Sequence, residues 1–323
     1  MIILTGGAGF IGSAFLWKLN AAGRSDVLVV DDLGHSDKWK NLRGRQFSDL
    51  VSIGDFSSRL ASGEALGNID AIVHLGACSA TTERNADYMM ENNYRSTRRL
   101  AEWAISRGVY MQYASSAATY GDGVNGFSDD PSLLSALVPQ NVYGYSKHMV
   151  DLWARESGAA AKLVGLKYFN VFGPNEYHKE DMRSVVVKAF EEIRSTGKLG
   201  LFRSYRNDFA DGEQKRDFIY VKDCVDAMMW LLEHREVRGL FNLGTGKARS
   251  WNDLARSVFS AMKAPEQINY VEMPEGMRDR YQYFTEASMN RLAAAGCPVS
   301  FRSLEESIHD YVVNYLTPGH GFL

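Results

Sequence analysis

Through the first half of the chain, short runs of apolar and β-branched residues alternate with longer stretches whose apolar positions recur at helical spacing. The runs are Ile2 to Thr5, Val27 to Val30, Ala71 to Leu75, Tyr110 to Ala114 and Leu163 to Phe169. Because the runs are apolar throughout, the sheet they form must be covered on both faces, which is the arrangement of parallel strands flanked by helices. Ser13 to Asn20, Asn92 to Ser106 and Tyr143 to Glu156 read as those helices, with Gly23 as a stop signal for the first. The pattern predicts a doubly wound α/β domain on a parallel sheet.

After Phe172-Gly173-Pro174 the pattern changes to Lys-, Arg- and Asp-rich segments with scattered aromatics. Apolar order returns at Asp217 to Val221 and Phe241 to Leu243. Such interleaving predicts a smaller, discontinuous α/β lobe threaded between late elements of the first domain. The expected division gives residues 1–170 plus about 214–242 to the first domain, and about 171–213 plus 243–323 mainly to the lobe.

Composition narrows the function classes. With 45% hydrophobic and 23% charged residues, the 323-residue chain has globular proportions and needs no disulfide or metal staples. Its 36 basic and 39 acidic side chains leave a formal net charge of −3, so nucleic acid is not an expected partner. Cys78, Cys224 and Cys297 stand far apart without a CxxC pair. That spacing supports neither a thiol zinc site nor a disulfide framework, and it fits a reducing cytoplasm. No basic leader precedes Ile2-Ile3-Leu4, and no stretch reaches the ~18 uncharged apolar residues of a membrane span, so neither export nor a membrane partner is expected.

Candidate chemistry begins directly after the first strand, in Thr5-Gly6-Gly7-Ala8-Gly9-Phe10-Ile11-Gly12. Gly7, Gly9 and Gly12 satisfy GxGxxG, and Gly6, Gly9 and Gly12 satisfy GxxGxxG. Between a strand and a helix, such glycines permit a tight turn and let backbone N–H groups approach a pyrophosphate at the helix N-terminus. Asp31 and Asp32 follow the second strand, where a carboxylate can accept hydrogen bonds from an adenosine ribose. That favours NAD on charge grounds, whereas Lys38, with Lys40 close by, could pair with the 2′-phosphate of NADP.

A second constellation lies in Asn141-Val142-Tyr143-Gly144-Tyr145-Ser146-Lys147. Tyr143 and Lys147, four apart, share one helix face, while Tyr145 points elsewhere. A phenol with a reference pKa of about 10 becomes a usable base when an ammonium and an oxidised nicotinamide favour its phenolate. A third element is Ser116, chosen over Ser115, in Tyr113-Ala114-Ser115-Ser116-Ala117-Ala118-Thr119-Tyr120-Gly121. It stands at the carboxyl end of an apolar strand, where open α/β sheets place ligands and a hydroxyl can hold a substrate alcohol.

The glycine loop, the SSAATYG segment, the YGYSK helix and the stretch Arg216 to Asp223 resemble an extended short-chain dehydrogenase/reductase. Further segments resemble, within that superfamily, the ADP-heptose 6-epimerase family of sugar-nucleotide enzymes. They are His74 to Thr82, Met89 to Tyr94, Tyr168 to Pro174 with His178-Lys179, and Arg280-Tyr281-Gln282 with Phe284-Thr285. The resemblance implies a Rossmann NAD(P)-binding domain and a substrate-binding lobe. It also implies an isomerase serving lipopolysaccharide core synthesis, with NADP or NAD held tightly, one per subunit of a homo-oligomer. Hydride would leave C6″ of ADP-heptose and return to the opposite face of an exocyclic aldehyde intermediate. Because the oxygen occupies two places, two acid/base groups are expected, Tyr143 and Lys179, with Ser116 orienting the hydroxyl and Lys147 supporting Tyr143 and the nicotinamide ribose.

By the same resemblance Gly6, Gly9, Phe10, Ile11, Gly12, Asp31, Asp32, Lys38, Leu75, Gly76, Ala77, Cys78, Ser79, Asn92, Lys147, Val171 and Lys179 contact the cofactor. Ser116, Asn170, Asp181, Lys188, Leu201, Phe202, Arg203, Ser204, Arg216 and Tyr281 contact ADP-heptose. Three departures stand out: Asp32 replaces an amide expected with NADP, Glu180-Asp181 adds acid beside Lys179, and Ser204 to Glu213 is longer and more charged than expected.

The seven histidines, His35, His74, His148, His178, His234, His309 and His320, show neither HxxH nor HExxH spacing, so no metal site is expected. His74 reads as a satisfied strand-end residue, Arg95, Arg98 and Arg99 as solvated charge, and Met228 to Leu232 as core or interface. Two rivals remain from the sequence. One is another sugar-nucleotide enzyme, a UDP-hexose 4-epimerase or a dTDP-sugar dehydratase; the dehydratase is disfavoured because Ala117 and Ala118, not an acid, follow Ser116. The other is a non-catalytic dinucleotide sensor, which would have no use for the Tyr and Lys pair.

Overall fold

The apolar runs become strands of one large parallel sheet, and the later segments build two small sheets beside it. The computed structural model describes residues 1–63, 67–278, 281–319 and 321–323. Arg280 and His320, singled out above, lie outside the described residues. The strands are β1 (Ile2–Thr5), β2 (Val27–Val30), β3 (Asp49–Val51), β4 (Ala71–His74), β5 (Tyr110–Ser116), β6 (Val164–Tyr168), β7 (Asn170–Phe172), β8 (Leu199–Phe202), β9 (Lys215–Tyr220), β10 (Gly239–Leu243), β11 (Ala248–Ser250) and β12 (Ile268–Val271). The large sheet runs β10-β6-β5-β4-β1-β2-β3, parallel at every pairing. Strand order reverses between β1 and β4, which opens the crevice where such sheets take their ligands.

Helices α1 (Phe10–Ala21), α2 (Ile53–Ser62), α3 (Ala86–Met89), α4 (Ser96–Ser106), α5 (Val142–Glu156), α6 (Val185–Thr196), α7 (Val221–Glu233) and α8 (Trp251–Met262) cover the sheets. On one face Phe15, Leu16 and Leu19 of α1 join Met228, Leu231 and Leu232 of α7 against β1, β2 and β6. On the other face Leu100, Ala101 and Ala104 of α4 join Val150 and Ala154 of α5. Both faces are thus apolar, which is why the strands carry no alternation.

The lobe has its own core, in which Val187 and Phe190 of α6, Leu254 and Val258 of α8, Leu201 and Ile308 pack together. β9, from the apolar stretch Asp217 to Val221, pairs with β7 and β11 in a three-stranded sheet. β3 gave no signal in the sequence because it is three residues long, with Asp49 exposed and Val51 alone buried. Among the described residues, no helix is long and apolar enough to cross a membrane, and no cluster of His, Cys, Asp and Glu could hold a metal ion.

Candidate active site

A cleft of about 1170 Å³ runs along the carboxyl ends of the strands, lined by the glycine loop, Asp31, Asp32, Lys38, Leu75 to Ser79, Asn92, Ser116, Tyr143, Lys147, Asn170, Val171 and Lys179. At its base Gly6 has φ +68°, and a Cβ there would lie 2.7 Å from the Gly76 nitrogen. A Cβ on Gly12 would lie 2.0 Å from the Gly6 carbonyl oxygen. Only glycine fits either place. Helix α1 opens at Gly9 with no side-chain cap and no acid in its first turn, so its N–H groups face the cleft unneutralised. The cradle fits a pyrophosphate.

Asp31, at the end of β2, accepts from the Ala8 N–H at 2.9 Å and pairs with the Lys38 ammonium. Lys38 also donates to the Asp32 carbonyl at 3.2 Å, while the Asp32 carboxylate accepts from the Ile53 N–H at 3.1 Å. Lys40 instead pairs with exposed Asp37 at 2.7 Å. Asn92 reaches the cleft from a π-helical turn at Met90–Arg95, the kind of irregularity that recurs at functional sites.

Tyr143, Lys147 and Ser116 come together at the crossing of α5 and β5. Asn141 caps α5 by accepting from the Gly144 N–H at 2.8 Å. Gly144 lets the helix approach so closely that a Cβ would lie 2.5 Å from the Ala118 carbonyl oxygen. This seats the Tyr143 phenol against the Ser116 hydroxyl. Burial pushes the phenol up, the Ser116 hydrogen bond pulls it back, and Cys78 adds a smaller upward push. Lys147 is 2% exposed and makes no hydrogen bond or ion pair among the described residues. Burial brings its ammonium down to about 8, against an opposing pull from Asp151.

Asp151, which the sequence reading overlooked, stands one further turn along the same face. It accepts from Ser115 Oγ at 2.6 Å and from Tyr113 OH at 3.1 Å, and it pairs with Lys167 of β6 at 2.9 Å, both side chains fully buried. Ser115 therefore faces inward, and Ser116 is the serine left beside Tyr143. His74 is bonded at both ring nitrogens, to Thr5 and Thr97, and burial holds it neutral at about 3.

Lys179 comes from a short helical turn at Tyr177–Met182, with its ammonium 5.4 Å over the Phe10 ring. Burial lowers its pKa, while buried Glu176 opposes the shift. Of the other residues proposed for substrate, Asn170 lines the cleft, and Arg216, 7% exposed, stacks over Trp251 and Tyr281 at 5.7 and 5.3 Å. Trp251 lines the cleft too, and its indole N–H donates to Tyr281 OH at 2.8 Å. No carboxylate among the described residues pairs with Arg216, whose guanidinium burial destabilises. Phe202 packs edge-on to Tyr281. Lys188 is exposed and donates to the Asp181 carbonyl at 2.6 Å. Arg203 is exposed near Glu272, and the Ser204 N–H donates to Asp211 at 2.8 Å. The Leu201 side chain faces the lobe core, leaving only its backbone for a ligand.

A family model described as the NAD dependent epimerase/dehydratase family matches residues 2–244. The chain belongs to that family. It is 54% identical over 323 residues to the ADP-L-glycero-D-manno-heptose-6-epimerase of Nitratidesulfovibrio vulgaris strain DP4, with all of both chains covered. The solved ADP-L-glycero-D-manno-heptose-6-epimerase of Helicobacter pylori superposes with a TM-score of 0.78 at 29% identity, covering 97% of this chain and 95% of that one. MoeE5 in complex with UDP-glucose and NAD superposes with a TM-score of 0.71 at 26% identity, covering 96% and 97%. Family and neighbours agree on a nicotinamide dinucleotide, which the glycine cradle and the uncommitted Lys147 fit.

Proposed function

We propose that this chain is an ADP-L-glycero-D-manno-heptose 6-epimerase, an isomerase that inverts C6″ of ADP-D-glycero-D-manno-heptose for lipopolysaccharide core synthesis. The observation that carries the mechanism is the contact of Tyr143 with Ser116 beside a buried Lys147 that has no ion-pair partner among the described residues, at the glycine-lined cleft. When bound, the nicotinamide supplies the oxidant and the reductant in turn. Ser116 holds the C6″ hydroxyl, and the Tyr143 phenolate takes its proton as the C–H bond is oxidised. Lys147 favours that phenolate by its charge. Because C6″ also bears C7″, the intermediate is a ketone and not the aldehyde expected from the sequence, and rotation about C5″–C6″ presents its other face. Lys179 then gives a proton to the oxygen in its second place, and burial moves its pKa in the direction a group exchanging protons needs. Arg216 takes the pyrophosphate of ADP, supplying the counter-charge its buried guanidinium lacks.

NADP is the proposed cofactor. Lys38 brings an ammonium to the end of β2, where it can exchange Asp31 for a 2′-phosphate, and Asp32 has its carboxylate turned to the Ile53 N–H. The remaining contacts assigned in the sequence, the cytoplasmic location and a homo-oligomeric state belong to the same proposal. Dinucleotide released by denaturing the purified protein is expected to carry the 2′-phosphate. Incubation with ADP-D-glycero-D-manno-heptose and no added cofactor should invert C6″ as read by NMR. In Lys179→Met the rate should fall ~10²-fold with the fold retained. Absence of inversion in the wild type sinks the substrate assignment, and full activity in Lys179→Met sinks the second base.

A further inference from the structure

The side chain of Asn41, in the loop between β2 and β3, is 2% exposed and ties together three segments that are far apart in sequence. Its Nδ2 donates to the Ala8 carbonyl at 2.9 Å and to the Asn175 carbonyl at 3.1 Å, and lies 3.2 Å from His178 Nδ1. Both acceptors are carbonyl oxygens, so the amide cannot be flipped without setting oxygen against oxygen. Its own Oδ1 is buried without a partner among the described residues, so the contact is one-sided: the residue is held there by what its NH₂ group binds.

Each bonded segment carries part of the site. Ala8 lies inside the glycine loop, and its N–H is already fixed by Asp31, so Asp31 and Asn41 clamp the two ends of one residue. Asn175 begins the segment that delivers Lys179 and holds φ +78°, a left-handed conformation unusual for a side chain other than glycine. Its side chain donates to Ser13 of α1 at 3.0 Å and accepts from the Leu323 N–H at 3.0 Å. His178 immediately precedes Lys179. Its ring also bonds the Asn175 carbonyl, so His178 and Asn41 converge on one oxygen. Lys179 then lies over Phe10, the first residue of α1 after the glycine loop.

We propose that Asn41 is a positioning residue that seats the Lys179 segment on the cofactor loop, so that the second acid/base group is registered to the nicotinamide dinucleotide rather than to the lobe. The inference rests on the proposed role of Lys179. Asn41 touches no reacting atom; it acts by holding Ala8, Asn175 and His178 in one frame.

The test is a double-mutant cycle on holoenzyme with Asn41→Ala and Lys179→Met, reading kcat, KM for the ADP-heptose and bound dinucleotide released by denaturation. Asn41→Ala is expected to lower kcat about tenfold with KM within threefold and dinucleotide content retained, and to have no further effect in the Lys179→Met background. Asn41→Ser, which keeps a donor, should recover part of the rate. An equal loss in both backgrounds, or loss of dinucleotide in step with activity, overturns the positioning role, as does failure of both Asn41 variants to fold. Full activity of Lys179→Met alone would instead sink the two-base reading beneath it, so the two failures are distinguishable.

Discussion

Ser116, Tyr143 and Lys147 stand on a strand and a helix of the nucleotide domain, whereas Lys179, Asp181, Arg203 and Ser204 stand on loops and short turns of the lobe side. Beneath the first group lies a buried network, Asp151 with Lys167, Ser115 and Tyr113, and Lys167 also donates to Thr119. Around the second group the polar contacts are mostly exposed, as in Arg206 with Asp208 and Arg203 with Glu272. Left-handed residues, Asn175 and Glu180, bracket Lys179. A rigid floor suits hydride and proton transfer, which demand fixed distances, while a looser rim can adapt to a nucleotide sugar. Lys179 is the exception that has to belong to both, and Asn41 is the tie between them.

The sharpest way to break this contrast is at the floor. Tyr143→Phe keeps the ring and removes the phenolic oxygen, and it should lower kcat by ~10³-fold with an unchanged unfolding midpoint. Tyr145, two residues along and 47% exposed, is the control; Tyr145→Phe should remain within about twofold of wild type. Equal losses in both variants would remove Tyr143 from the chemistry.

Next in size is the network below. Asp151→Asn leaves Lys167 charged and fully buried without a carboxylate, and breaking such a pair costs about 3–5 kcal/mol. Asp208→Asn in the exposed rim pair should cost under about 1 kcal/mol. Urea unfolding of the two variants side by side measures the difference directly, and similar losses would mean that floor and rim are equally rigid.

The same division decides what the sequence discloses. Tyr143 and Lys147 are legible because four residues return a helix to one face, and Asp151 could be found by extending that step once more. The glycine loop is legible because its constraints are local: a turn, an N-terminus and the close approach of Gly12 to the Gly6 carbonyl. Asn41 is not, since its partner Asn175 is 134 residues away and nothing nearby marks either. β9 shows the limit for the fold. An apolar run reports burial but not the partner, so nothing in Asp217 to Val221 tells that the strand pairs with β7 and β11. The Leu201 to Ser204 contacts and Arg216 come only through resemblance to a family, because loops that meet in space leave no periodicity.

At the rim, Arg216→Ala should raise KM for the ADP-sugar by ~10–100-fold while kcat stays within about threefold, since a buried guanidinium facing a phosphate contributes to binding throughout the cycle. The opposite split, a fall in kcat at constant KM, would move Arg216 from recognition into the chemistry and blur the division between floor and rim.

The smallest effect is read from acid stability. His74 in the floor stays neutral down to about 3 because burial among Thr5 and Thr97 disfavours its charge. An unfolded chain protonates the same ring near 6.5. Between these values the unfolded state binds the extra proton, so stability falls as pH is lowered, by up to ~1.4 kcal/mol per pH unit for this group, and the contribution is fully present above 6.5. His178 at the rim is held down to about 4, by burial first and then by Lys38 and Lys179, so its share of the slope should end sooner. Urea midpoints measured from pH 7 to 3 on wild type, His74→Asn and His178→Gln separate the two, because only His74 still contributes between about 4 and 3. Removing His74 should flatten the slope over the whole range, and removing His178 should flatten it mainly above its own folded pKa. Identical slopes in all three proteins would mean that neither ring is kept neutral by its surroundings.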